Sequence, residues 1–335
     1  MRISASIYSN KEKGLEPLIR ELDAHGIDMF HIDCFDEAVF DDIARIRAIS
    51  KTPVDLHIIH NEPAKFFPLI AKHKVEYVSI QYGKKVALPE LPKETTTQWG
   101  LAFIADNDLG VISKFIDGYD FVLFMASAPG VSGKPFNKAN FQRIIDFKQL
   151  YPKKKIQVDG GVNDRIAFIL RLLGVNSIVS GNYFLNREYL GAGMLNLHKA
   201  PNNNGGDDDF KIADFMTFKK YLPVISREVL NLKNALKTME QFGLGFVFVT
   251  EGNKLAGVIS NADVRRGFIR HLDDLNNADV WDMVNAKPIV IDQTETLTGM
   301  LQLLNDLNFI ILFLPVVDTE NYLKGALLLN HLTRV

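Results

Sequence analysis

Between Ile3 and Ser180 the chain alternates, eight times over, a short run rich in β-branched and aromatic residues with a stretch of mostly helical patterning. Strands are predicted at Ile3–Tyr8, Met29–Asp33, Val54–Ile59, Tyr77–Gln81, Gly100–Ile104, Phe121–Ala126, Ile156–Asp159 and Ser177–Ser180. Strands separated by helices pair in parallel, and eight such units are the number that closes an α/β sheet on itself, a (β/α)8 TIM barrel. The fourth unit is the weak one. Its connection, GKKVALPELPKETTTQ, offers prolines and threonines where an amphipathic helix belongs, so that helix is expected to be short or lost.

The alternation stops at KAPNNNGGDDD, residues 199–209, whose Asn, Gly and Asp cannot bury surface. We therefore divide the 335 residues into a barrel over 1–198, a linker over 199–210 and a second region over 211–335. That region is itself a tandem repeat, about 211–273 and 278–335. Each copy runs helix, strand, a second strand containing a Gly (Gly257 in one, Gly325 in the other), then more helix.

A formal net charge of −2 provides no broad positive field, which disfavours nucleic acid and anionic membrane as partners. The longest apolar runs fall well short of a membrane span, and the start of the chain lacks an apolar signal core. The one cysteine, Cys34, cannot form an internal disulfide and suits a reducing compartment; the expectation is a cytoplasmic enzyme.

Barrels of this kind carry their chemistry at the C-terminal ends of the strands. Strand two ends His31-Ile32-Asp33, and alternate residues on a strand point to one face. Strand three ends with His57, strand seven with Asp159-Gly160-Gly161, strand eight with Ser180-Gly181-Asn182. Two imidazoles and two carboxylates on one rim suit a single divalent cation: zinc, iron, manganese or cobalt. Glycine-rich turns follow strands six, seven and eight: Gly130-Val131-Ser132-Gly133, Gly160-Gly161 and Gly181-Asn182. Glycines let backbone N–H groups approach an anion, so these turns predict a phosphate anchor, with Lys134 as added charge.

Read in order, Ser6-Ile7-Tyr8, His31-Ile32-Asp33, Asp55-Leu56-His57, Met125 to Gly130, Val158-Asp159-Gly160-Gly161 and Gly181-Asn182 resemble the ribulose-phosphate 3-epimerase family. The resemblance implies 3-epimerisation of a phosphorylated ketose, D-ribulose 5-phosphate by default. It implies Asp33 and Asp159 as the acid/base pair, with His31, Asp33, His57 and Asp159 holding the metal. Ser6 and His57 would contact substrate, as would the residues of the three glycine turns. A homo-oligomer is expected. An orotidine-phosphate type decarboxylase is disfavoured, because strand three reads Asp55-Leu56-His57-Ile58-Ile59-His60 and lacks the lysine that chemistry needs.

The chain also departs from the family. Phe35 to Asp41 runs straight into a helix where a covering loop is usual, Phe35 and Ile59 replace methionines, Tyr8 replaces Leu and Asn182 replaces Ser. A different sugar phosphate of surface-polysaccharide synthesis, or a sensor that binds sugar phosphate without turnover, is the alternative.

In the second region Gly257-Val258-Ile259-Ser260-Asn261-Ala262-Asp263 resembles the hallmark of CBS modules. That resemblance implies an adenine nucleotide or nucleotide-sugar effector, with Ser260 at a phosphate and Asp263 at ribose hydroxyls. The second copy, Gly325-Ala326-Leu327-Leu328-Leu329-Asn330-His331, lacks both groups, so at most one equipped site is expected.

Overall fold

The computed structural model describes residues 1–83, 88–93, 95–130, 133–187, 189–201, 210–273 and 279–332. The chain divides into two compact units, residues 1–202 and 203–335.

The first unit is a closed barrel of eight parallel strands in sequence order: β1 (Arg2–Ser6), β2 (Met29–Cys34), β3 (Val54–Ile58), β4 (Tyr77–Gln81), β5 (Gln98–Ile104), β6 (Phe121–Met125), β7 (Lys155–Asp159) and β8 (Ser177–Ser180). β8 returns to pair with β1, which leaves no open edge. Around it run α1 (Leu15–Ala24), α2 (Val39–Ile49), α3 (Phe67–His73), α4 (Leu109–Ile112), α5 (Ala139–Leu150), α6 (Asp164–Leu172), α7 (Asn182–Leu185) and α8 (Leu190–His198). Amphipathic spacing explains how they pack; α1 turns Leu18, Ile19 and Leu22 onto the barrel and leaves its acids outside.

Between β4 and β5 the described residues form no helix, in keeping with the proline-rich connection. The first strand is shorter than its sequence pattern: it stops at Ser6, and Ile7–Ser9 form a 3-10 turn. The Ser6 and Ser9 hydroxyls, 3.0 Å apart, tie that turn together.

Register sets the height of the rim residues. His31 lies opposite Asp55 and Asp33 opposite His57 in the β2/β3 pair, while Met125 lies opposite Asp159 in β6/β7. Adjacent strands thus deliver their last polar side chains at nearly one level.

The second unit begins with α9 (Ile212–Phe215) and β9 (Thr217–Phe218), then β10 (Val224–Ser226), α10 (Leu232–Phe242), β11 (Phe246–Glu251), β12 (Lys254–Ser260) and α11 (Asn261–Arg270). It continues with β13 (Ile291–Asp292), α12 (Leu297–Asn305), β14 (Phe313–Val317) and β15 (Leu323–Leu328). Two small sheets result, ordered β10-β11-β12 and β13-β14-β15-β9.

The duplication extends to backbone irregularities. Val249 faces Gly257 and Val316 faces Gly325, and in both hairpins the register slips at the very next residue. Phe246 stacks on Phe313 of the other copy with ring centroids 3.9 Å apart. One expectation fails. The helix anticipated after the second hairpin is only a 3-10 turn, Leu329–His331, among the described residues. Leu328 caps that turn without a side-chain hydrogen bond, whereas Ser260 and Asp263 close a reciprocal capping box that starts α11.

Candidate active site

One ligand atom from each of His31, Asp33, His57 and Asp159 lies within 4.8 Å of the others. His31 and Asp33 come from alternate positions of β2, His57 from β3 and Asp159 from the last residue of β7. His31 Nε2 is 3.5 Å from Asp33 Oδ1 and 3.8 Å from Asp159 Oδ2, and His57 Nδ1 is 3.2 Å from Asp33 Oδ1. Buried and without a hydrogen-bond partner, His31 Nε2 aims its lone pair or proton into this cluster. Most buried polar atoms find a partner, and this one faces three further potential metal ligands. Two nitrogens and two carboxylate oxygens are a donor set that fits a divalent zinc, iron, manganese or cobalt ion.

Behind the four stands a fully buried carboxylate. Asp55 Oδ2 accepts from His31 Nδ1 at 2.8 Å, from Ser4 Oγ at 2.8 Å and from Gln157 Nε2 at 2.6 Å. Burial pushes Asp55 up, but the His31 charge and these donors outweigh it and hold it below the usual carboxylate range. Burial likewise opposes a charge on His31, yet Asp55, with Asp33 and Asp159, holds the imidazole well above its ordinary value.

The two rim carboxylates are driven apart. For Asp33, burial opposes ionisation, but the neighbouring His31 and His57 rings prevail and hold it below the usual range. Asp159 is pushed up to about 6, chiefly by burial, against the pull of His31 and with the repulsion of Asp33. Two carboxylates with opposed proton affinities at one site are suited to acid/base chemistry.

A cleft of about 350 Å3 opens beside them, lined by Asp33 and Asp159 at its floor. Ser6, Gly130, Gly133, Gly160, Gly161, Gly181 and Asn182 all line it, together with Lys134. Val131 and Ser132 lie outside the described residues. His57 does not line the cleft; it is fully buried, held by Asp33 on one side and Gln81 on the other. The turn after β7 needs its glycines: Gly160 and Gly161 have φ of +112° and +66°. A Cβ on Gly161 would sit 2.4 Å from the Phe136 backbone nitrogen.

In the second unit a cavity of about 800 Å3 is lined from both copies, by Ser260, Asp263 and Arg266 on one side and Phe309 to Phe313 on the other. Asp263 Oδ2 accepts from the Ser260 backbone N–H at 2.8 Å, and Arg266 pairs with Oδ1. Leu328, the counterpart of Ser260, is on its wall and His331 is not.

With this geometry in place, comparison with known proteins decides the family. The model of the ribulose-phosphate 3 epimerase family matches residues 2–185. The chain belongs to that family. Ribulose-phosphate 3-epimerase of Bacillus subtilis (strain 168) is 27% identical over 197 residues, 54% of this chain and 91% of the relative. The chloroplastic ribulose-5-phosphate-3-epimerase of Arabidopsis thaliana is 24% identical over 196 residues, 54% of this chain and 70% of the relative. The CBS domain model matches residues 213–270. A solved structure of CBSX2 in complex with AMP is similar at 24% identity, covering 37% of this chain and 94% of that one, with a TM-score of 0.32. Listeria monocytogenes CbpB in complex with c-di-AMP is similar at 23% identity, covering 36% and 90%, with a TM-score of 0.31.

This ribulose-phosphate 3-epimerase family member is thus an isomerase-type barrel joined to a CBS region. Among the described residues no helix is long and apolar enough to cross a membrane. Between β2 and α2, Phe35 projects half-exposed over the cleft and its ring rests on Gly130, 2.4 Å from where a Cβ would be. Tyr8, also on the cleft wall, donates to Asp42 Oδ2 at 3.0 Å. Sequence reasoning gave no role to Asp55, Gln81, Ser4 and Gln157, which pack around the histidines. An acid at alternate spacing from His57 was the visible signal for Asp55; nothing local marked the other three.

Proposed function

We propose that the barrel epimerises carbon 3 of a ketose phosphate, D-ribulose 5-phosphate by default, with Asp33 and Asp159 as the proton-transferring groups. The observation that carries this reading is their arrangement: two carboxylates at the floor of one cleft, one held ionised and the other raised to about 6. Epimerisation breaks the C3–H bond on one face of the sugar and forms a new one on the other. Asp33, the stronger acid, is charged and takes the proton; Asp159 returns one from the opposite side, and the roles exchange in the reverse reaction. His31, Asp33, His57 and Asp159 would hold a divalent ion, which would supply Lewis-acid stabilisation of negative charge on the substrate. Gly130, Gly133, Gly160, Gly161, Gly181 and Asn182 line the cleft with Lys134 and offer backbone N–H groups and charge to the phosphate. Ser6, which also lines the cleft, offers a hydroxyl to the substrate.

The second unit is proposed to bind one nucleotide effector, an adenine nucleotide or a nucleotide sugar, in the cavity beside Ser260 and Asp263 and so to regulate the barrel. We further propose the division into residues 1–198, a linker at 199–210 and a CBS pair at 211–335, and assembly as a homo-oligomer in the cytoplasm.

Incubating the metal-loaded full chain with ribulose 5-phosphate in heavy water tests the epimerase reading. Deuterium should enter at C3 with xylulose 5-phosphate as product, and Asp33→Asn or Asp159→Asn should slow this roughly 100- to 10,000-fold. Phe35 and Tyr8 on the cleft wall favour a panel that includes other ketose phosphates. Binding without exchange across that panel would instead leave a sugar-phosphate sensor.

A further inference from the structure

We infer that Ser127 is a specificity-determining residue of the cleft: its hydroxyl recognises the hydroxyl on carbon 4 of the ketose phosphate. The inference deepens the epimerase reading above and rests on the substrate placement in it.

Ser127 stands just past the end of β6 and lines the cleft with Asp33, Asp159, Gly130 and Gly161. Between Met125 and Gly130 it carries the only polar side chain; the other residues there are Ala126, Ala128 and Pro129. The backbone before it is pinned. The Ala126 N–H donates to the Asp159 carbonyl at 2.6 Å, and the Ala126 carbonyl accepts from the Asn137 N–H at 3.1 Å. The hydroxyl itself leans on Gly160, where a Cβ would lie 2.4 Å from Ser127 Oγ and 2.6 Å from its backbone nitrogen. Gly160 joins the carboxyl-bearing Asp159 to Gly161 of the anion turn, so Ser127 Oγ sits at the junction of the two. Other hydroxyls on the same wall are engaged within the protein. Ser6 and Ser9 bond each other, Ser180 donates to the Val162 carbonyl and Tyr8 to Asp42. Among the described residues none bonds the Ser127 hydroxyl.

The chemistry of the substrate says what this hydroxyl meets. With carbon 3 at the two aspartates and the phosphate in the glycine turns, only carbons 4 and 5 and the ester oxygen span the gap. Carbon 5 bears no hydroxyl; carbon 4 bears one. A serine hydroxyl both donates and accepts, so it pairs with that group in either sense. A ligand lacking the group leaves the serine unpaired once the cleft is filled, and an unpaired polar group is the source of discrimination against it.

Two pairs of probes test this on the full chain. D-Ribulose 5-phosphate and its 4-deoxy analogue report turnover. D-Ribitol 5-phosphate and its 4-deoxy analogue have no carbonyl, cannot react, and report binding by calorimetry. Ser127→Ala removes only Oγ. It should lower kcat/KM for ribulose 5-phosphate and the affinity for ribitol 5-phosphate roughly 2- to 10-fold each, and leave both 4-deoxy probes within about twofold of wild type. Inorganic phosphate should bind the variant as it binds wild type. Equal losses with the hydroxylated and the 4-deoxy probes overturn the inference, as does no loss with either. Weakened binding of inorganic phosphate overturns it too, because Ser127 would then serve the phosphate. A wild type that turns over no ketose phosphate sinks the epimerase reading, while a Ser127-dependent preference for ribitol 5-phosphate over its 4-deoxy analogue would still uphold recognition of carbon 4. A wild type that binds no ribitol 5-phosphate overturns that recognition.

Discussion

Asp55 receives the Nδ1 proton of His31 at 2.8 Å with both side chains sealed from solvent. That one contact joins the interior of the barrel to its rim, because the same carboxylate oxygen also takes the Ser4 hydroxyl and the Gln157 amide. Removing it strands three donors at once. Asp55→Leu should destabilise the protein by about 3–5 kcal/mol in urea unfolding, whereas Asp55→Asn, which keeps an acceptor oxygen, should cost distinctly less. Equal costs would show that volume and not the donor set dominates.

Metal binding should be steeply pH-dependent. A cation needs His31 neutral at Nε2 and the carboxylates ionised. In the metal-free protein His31 is held well above its ordinary value and Asp159 is raised to about 6, so protons compete with the cation for both ligands. Affinity should therefore fall as pH drops, first as His31 takes up its proton above the ordinary imidazole range and further as Asp159 protonates near 6. Binding at pH 7 should release protons, read as a calorimetric heat that varies with the ionisation enthalpy of the buffer. A buffer-independent heat would contradict this.

Gly161→Ala should damage the cleft more than a glycine substitution elsewhere in the barrel. At φ +66° the new Cβ falls 2.4 Å from Phe136 N and 2.7 Å from Lys134 O, both backbone atoms that cannot swing aside. Gly26 has a similar φ of +70° and nothing within 4 Å. Gly26→Ala should cost about 1 kcal/mol and Gly161→Ala clearly more, with weakened inorganic phosphate binding only in the latter.

Cys34 should be inert in the folded protein. Burial, then the nearby Asp36, pushes its thiol up to about 12, so almost no thiolate exists at pH 8. Reaction with a disulfide reagent should be slow until denaturant is added; a fast native reaction would mean the β2 rim opens.

The barrel was legible because its signals are local. Each strand is a short β-rich run, and the alternate spacing of His31 and Asp33 states that both side chains leave β2 on one face. What escaped depends on neighbours far apart in the chain. Gln81 reaches His57 across 24 positions and Gln157 reaches Asp55 across 102, and a lone glutamine in a strand carries no mark of either contact. The rim geometry also hides which histidine nitrogen faces inward, since that follows from partners and not from spacing. In the second unit the strand pattern of the repeat survives in both copies, but a capping box starts a helix in only one. Leu328 and His331 do not reproduce the Ser260–Asp263 exchange, and the backbone there turns instead of coiling on.

The stacked rings of Phe246 and Phe313 have one more implication. A single module of this sort would have to meet its mate in solution, and its cavity would come and go with dilution. Here both halves ride on one polypeptide, so each finds the other at a fixed, high local concentration. Were the cavity to take a nucleotide as proposed, its occupancy would depend on the concentration of that nucleotide and not on that of the protein.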